Sequence, residues 1–359
     1  MKRINAPIAA LLIGSATAGG QAVAAGWTDR ISIGGFASTN YSRTDSETPF
    51  NGPENIGHDD KGSWAGTRVG LNVNAAINKR FRFASQLYSS KAEDFALHVN
   101  WAFGDLILTD ELSLRTGKIK FPVGLVNEYV DVGYAMPWIK APVAIYSELG
   151  APNGPQITRE SYTGASLLGN FSAGDWTLGA DLFGGEIALE GSNVRELGGL
   201  SLTADWDDVA LFQISTYQGT MRGIDDPAMS AMEGVKHSGL QYGVKADWND
   251  IILYAERGDI SMGDLDLMKA TSWYTTVGYR VGKLLPHLTY QSYEQGKGSL
   301  QEDQQRIATL GLRWDFMPGI AFKAELSQIK TDKGVGLFLP TSTPAGSVNM
   351  ISFGLDTVF

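Results

Sequence analysis

The chain has 359 residues, no cysteine and four histidines, and its 29 Lys and Arg against 39 Asp and Glu set a formal charge of −10. The lack of thiols excludes disulfide frameworks, cysteine metal centres and thiol catalysis, and the negative charge excludes a general affinity for nucleic acid. Beyond its first two dozen residues the chain contains no uncharged apolar run of the roughly 18 residues that a membrane helix needs. If it enters a membrane, it does so as strands.

At the start of the chain, Lys2 and Arg3 precede a short apolar stretch around Ala9 to Ile13 and then small residues up to Ala22-Val23-Ala24. This is the pattern of a secretory signal peptide over residues 1–25, not of an anchor. Cleavage after Ala24 or Ala25 starts a single mature domain, 26–359, near Gly26-Trp27, and the loss of Lys2 and Arg3 takes the charge to about −12.

Period-two alternation then predicts about sixteen strands. In the first half they fall near 31–41, 66–77, 80–90, 95–107, 111–119, 160–171, 174–185 and 195–206. The second half continues with 208–219, 238–248, 250–259, 271–282, 284–294, 304–316, 319–331 and 347–359. Their connections alternate between short and long. Tight turns are expected at Asn78-Lys79, Thr109-Asp110, Ala173-Gly174, Asp207-Asp208, Asn249-Asp250, Gly282-Lys283 and Met317-Pro318. Longer segments are expected at 42–65, 91–94, 120–159, 186–194, 220–237, 260–270, 295–303 and 332–346. This rhythm, with 43 glycines, 9 Trp, 13 Tyr and 15 Phe, predicts an all-β, up-and-down antiparallel transmembrane barrel.

An internal repeat supports the hairpins: Leu202-Thr203-Ala204-Asp205-Trp206-Asp207-Asp208-Val209 recurs as Val244-Lys245-Ala246-Asp247-Trp248-Asn249-Asp250-Ile251. Leu312-Arg313-Trp314-Asp315-Phe316 is a looser copy. Trp206, Trp248 and Trp314, gathered at one set of turns, predict an aromatic girdle at a membrane surface.

Successive side chains on a strand point to opposite faces. Leu240, Tyr242, Val244, Ala246 and Trp248 therefore oppose Gln241, Gly243, Lys245 and Asp247, and Leu310, Leu312 and Trp314 oppose Thr309, Gly311 and Arg313. In a barrel of about sixteen strands the apolar face meets lipid and the polar face lines water. The longest connection, 120–159, is rich in Phe121, Val123, Leu125, Val126, Tyr129, Tyr134, Met136, Trp138 and Ile139, so it is expected to pack against a wall and narrow the lumen.

Two segments carry a family resemblance. The last run alternates Ile351, Phe353, Leu355, Thr357 and Phe359 with Ser352, Gly354 and Asp356, and resembles the closing strand of Gram-negative outer-membrane barrels. Thr357 departs from that pattern, in which an apolar residue is usual. The stretch from Leu114-Arg115-Thr116-Gly117-Lys118 to Pro122-Val123-Gly124 and Asn127-Glu128, continuing through Asp131-Val132-Gly133 to Pro137 and Pro142 to Tyr146, resembles the fifth strand and third loop of porins related to the phosphate-selective group.

The resemblance implies a diffusion channel for ions and small hydrophilic solutes in the outer membrane, often a homotrimer. It also implies that Ser352, Gly354 and Phe359 form the signal read by the barrel-assembly machinery. The loop near 121–159 would form the constriction, with Glu128 and Asp131 among its acids. Parity puts Arg68, Arg80, Arg82, Arg115, Lys245, Arg280, Arg313 and Lys323 in the lumen with Asp181, Asp205, Asp247, Asp315, Glu325 and Asp356. That near balance argues against a single-sign filter and against phosphate selectivity. It predicts a transverse field, with Arg68, Arg82 and Arg115 facing Glu128 and Asp131.

Acidic loop pairs Asp59-Asp60 and Asp225-Asp226 are candidates for divalent bridges to lipopolysaccharide. Cofactors, metal centres and catalysis are not expected. His58, His98, His237 and His287 lie far apart, and the chain has neither a G-x-S-x-G elbow nor an H-E-x-x-H helix. A plugged, structural or substrate-specific barrel is the competing expectation.

Overall fold

The computed structural model describes residues 30–50, 56, 62–146, 161–189, 191–225, 227–263, 269–298, 302–338 and 346–359. The signal peptide, the loop segment 147–159, His58, Asp59, Asp60 and Asp226 lie outside the described residues.

Sixteen strands form: β1 Ile31–Thr44, β2 Arg68–Ala76, β3 Phe81–Ser90, β4 His98–Ile107, β5 Leu112–Lys120, β6 Ser161–Ala173, β7 Trp176–Leu189 and β8 Ser192–Trp206. They continue as β9 Ala210–Arg222, β10 Lys236–Trp248, β11 Ile251–Met262, β12 Ala270–Tyr279, β13 Leu284–Gln295, β14 Asp303–Met317, β15 Ile320–Lys333 and β16 Ser347–Val358. Each pairs antiparallel with the next, and β16 returns to β1, so the sheet closes without an edge.

Closure reaches the last residue of the chain. Past the Phe36–Val358 pair, the Gly35 N–H donates to the Phe359 carbonyl at 2.9 Å and the Phe359 N–H donates to the Gly35 carbonyl at 3.0 Å. The Phe359 ring lies over Gly35, where a Cβ would sit only 2.6 Å from its Cζ. Glycine at 35 is therefore what lets the terminal aromatic lie flat on the outer wall.

Burial is inverted relative to a soluble protein. On the outer face Leu310 is 55% and Leu326 57% exposed, whereas inward Thr309 is 7% exposed and Lys323 fully buried. An apolar face turned outward on every strand needs an apolar solvent, and a closed barrel is the one sheet arrangement that satisfies all its backbone groups in lipid. Trp206, Trp248 and Trp314 are all exposed at the tight-turn ends of β8, β10 and β14, and the Trp176 and Trp206 rings stack at 6.3 Å.

The predicted strands all form. The main difference is at 186–194, expected as a long connection, where β7 runs on to Leu189 and β8 begins at Ser192. Register shifts at Gly185/Ile187 and Arg195/Gly198 break the period-two alternation there, so polar Glu186 and Asn193 look like loop residues although the ladder continues past them.

Candidate functional site

The lumen is occupied by the long connection after β5. Phe121 packs edge-on against Tyr162, Phe183 and Tyr217 of β6, β7 and β9, within an apolar cluster that also holds Ile119, Ile187, Val194 and Met221. The Pro122 carbonyl accepts from Ser215 Oγ at 3.2 Å. At the β11 wall the Leu125 N–H donates to Glu256 Oε1 at 2.9 Å. Asn127 Nδ2 then folds back to the Phe121 carbonyl at 2.7 Å and closes this first turn.

The chain next crosses to the far side of the barrel. Asp131 Oδ2 accepts from Lys120 Nζ and from Asn100 Nδ2, each at 2.7 Å. The Asp131 carbonyl accepts from Arg68 Nε at 2.7 Å. Asn100 also donates to Gln86, which donates to Asn72, so the anchor reaches β2, β3, β4 and β5. Burial alone would raise the Asp131 carboxyl, but Lys120, Arg68 and the Asn100 amide together hold it below its ordinary value.

A third station lies on β12 to β16. Lys323 Nζ donates to the Gly133 and Trp138 carbonyls at 2.7 and 2.6 Å and pairs with Asp356 Oδ2 at 2.8 Å. Arg313 donates to the Tyr134 and Met136 carbonyls at 2.7 and 2.8 Å. The Ile139 N–H donates to Glu325 Oε1 at 2.9 Å, and the Ala144 N–H to Gln291 Oε1 at 3.0 Å. Trp138 Nε1 reaches the Thr276 and Thr289 hydroxyls at 3.0 and 2.9 Å.

Gly133 makes the close approach possible, since a Cβ there would lie 2.1 Å from Asp356 Oδ1. The single helical turn Val143–Tyr146 returns the chain to β11. There Tyr146 donates to Glu256 Oε2 at 2.5 Å and accepts from the Val126 N–H. Burial, and then the Glu256 carboxylate, push the Tyr146 phenol well above its ordinary value, so it remains a donor.

Of the residues expected at the constriction, Arg68 and Asp131 meet on one wall rather than facing each other across the lumen. Arg82 and Arg115 flank Asp105 in register on β3, β4 and β5, and the Arg115 guanidinium lies 4.3 Å from the Phe103 ring centre. Glu128 is exposed on the loop, within electrostatic reach of Asp181, which Arg115 also senses.

At the C-terminus, Ser352 Oγ shares a 2.8 Å hydrogen bond with Ser42 Oγ, and Gly354 faces Asn40 and Ile139. The groups that hold the loop most tightly, Lys120, Asn100, Glu256, Lys323, Glu325 and Asp356, were not singled out from sequence as constriction residues. Parity marked Lys323, Glu325 and Asp356 as luminal. The loop partners of Lys323 and Glu325 are backbone carbonyls and an N–H group, which carry no side-chain signature.

No protein-family model and no curated protein matches the chain. Solved structures do share its fold. OmpF of Salmonella typhi in complex with daunomycin is similar with a TM-score of 0.65 at 14% identity, over 92% of this chain and 97% of that one. The anion-selective porin from Comamonas acidovorans gives 0.61 at 13% identity, over 92% and 99%. The trimer form of OmpT, an outer membrane protein of Vibrio cholerae, gives 0.57 at 11% identity, over 92% and 99%.

Proposed function

We propose that this chain is a porin-like channel of the Gram-negative outer membrane, carrying ions and small hydrophilic solutes passively through its lumen. The observation that carries the reading is the inverted burial of a closed sixteen-stranded barrel, because this strand count encloses a water-sized lumen once the loop is set aside. The tight turns face the periplasm and the long loops face outward. Ser352, Gly354 and Phe359 serve assembly, Trp206, Trp248 and Trp314 sit at the lipid interface, and the barrel associates as a homotrimer; the similar OmpT structure from Vibrio cholerae has a trimer form.

Charge selection belongs to Arg82 and Arg115 on the wall, while Arg68 and Asp131 hold the loop in place. Phosphate selectivity is not proposed, because the luminal cations are matched by acids.

The test is single-channel recording in planar bilayers of a barrel whose residues 122–145 are replaced by a short Gly/Ser linker. Discrete ion-conducting steps are expected, with a reversal potential under a KCl gradient that shifts when Arg82 and Arg115 are neutralised together. Folded barrel without any steps would contradict the channel reading, and an unchanged reversal potential would take charge selection away from both arginines.

A further inference from the structure

We infer that residues 121–146 form a releasable plug that closes the lumen at rest, pinned at three stations around the wall. This rests on the channel reading above. The path of the chain is the first reason. Leu125 is held by β11 and Asp131 by β2, β4 and β5, which lie about half a circumference apart in a ring of sixteen strands.

Sixteen strands about 4.8 Å apart, tilted by about 40°, enclose a ring roughly 30 Å across. Six residues reach at most about 20 Å when extended, and the 3-10 turn Asn127–Tyr129 shortens that reach. The long side chains of Arg68, Lys120 and Glu256 supply the remainder by extending inward. The segment therefore bridges well-separated parts of the wall instead of lining one side.

The second reason is that the loop has a core of its own. Val126 and Met136 are wholly buried, and they cluster with Trp138, Ala141 and Ile145 against Tyr254, Tyr274 and Leu285 of the wall. The Tyr146 hydroxyl ties the two ends of the segment together through Val126. Where the loop meets β13 to β16, a cavity of about 50 Å³ remains beside Ile139, Thr289, Thr309 and Ser327, room for a few waters rather than a solute.

The third reason concerns what the plug covers. The wall beneath it pairs hydroxyls across strands, Ser42 with Ser352, Thr276 with Thr289 and Thr309 with Ser327, each at 2.8 Å. Beside them lie the buried charges of Lys323, Asp356 and Glu256. A permanent dry interface would be at least as stable if apolar, because buried ions lose their hydration. A wall of hydroxyls and charges is instead one that water can re-solvate when the plug leaves. Most of the anchoring bonds join a wall side chain to the loop backbone, so both partners find water on release.

The experiment compares three full-length barrels in planar bilayers, each shown to be folded by heat-modifiable migration: wild type, Gly133→Val, and the loop-replaced barrel. Wild type is expected to pass a mean current about tenfold or more below that of the loop-replaced barrel, and Gly133→Val to recover a large part of the difference by forcing the loop off Asp356. Wild type conducting as freely as the loop-replaced barrel overturns the plug. A Gly133→Val barrel as silent as wild type, beside a conducting loop-replaced one, overturns the pinning by the Lys323 and Asp356 station. A silent loop-replaced barrel overturns the channel reading itself.

Discussion

Single side chains in this barrel decide where the loop lies. Asp131 is the group whose charge state bears most directly on that position, because its carboxylate accepts from Lys120 and Asn100 while its own carbonyl accepts from Arg68. Its folded value lies below the ordinary 3.8, so its contribution is fully present above that value and is lost as pH falls through the lower, folded one. Current through wild type is therefore expected to stay unchanged down to about pH 4 and to rise only below it, with an Asp131→Asn barrel lacking that rise. A rise centred near pH 6 would assign the loop's grip to some other group.

Lys323 and Asp356 illustrate what single residues conceal. Both were legible as luminal from alternation alone, yet their pairing at 2.8 Å and the Lys323 bonds to Gly133 and Trp138 depend on a loop that begins some 200 residues earlier in the chain. Period-two patterning reports which face a side chain occupies. It carries no information about which backbone groups will come to meet it.

At the scale of strands, the alternation of apolar and polar residues was strong enough to place all sixteen, because lipid outside and polar contacts inside impose opposite demands on neighbouring positions. A basic residue on the outer face is expected to be costly in proportion to its depth. Leu310→Arg, in the middle of β14 and 55% exposed, should destabilise the barrel by about 2–4 kcal/mol in a urea titration from lipid vesicles. A change under about 0.5 kcal/mol, within the range of ordinary surface substitutions, would mean that this face does not contact lipid.

The places where strand prediction fell short are the bulges on β7 and β8, since one extra residue inverts the pattern beyond it. The long loop was legible as apolar and wall-packed from Phe121, Val126, Met136 and Trp138. Its route between well-separated parts of the wall was not, because it is set by contacts to β2, β11 and β15 together. The sequence-level pairing of Arg68 and Asp131 as opposite poles of a field failed to anticipate that they touch.

At the scale of the whole molecule, the barrel and the loop answer different physical needs. Strand pairing from β1 round to Phe359 satisfies the backbone without an edge, which is what permits the sheet to stand in lipid. The loop then fills a space that sixteen strands would otherwise leave wet. Residues 121–146 lie inside the barrel, with Gly133 and Ile139 against β16, and the absence of native cysteine allows a direct test of that placement.

A Cβ on Gly354 would lie 3.3 Å from Ile139 Cγ1, so Ile139→Cys with Gly354→Cys brings two thiols within reach of a disulfide. The measurement is the cross-linked fraction among folded, heat-modifiable barrels of this double variant, read by non-reducing electrophoresis and set against folded Gly354→Cys alone, since Gly354 also belongs to the proposed assembly signal. Near-complete bridging, absent from either single variant, is the result this structure requires. Two free thiols that both react rapidly with a membrane-impermeant maleimide would contradict it.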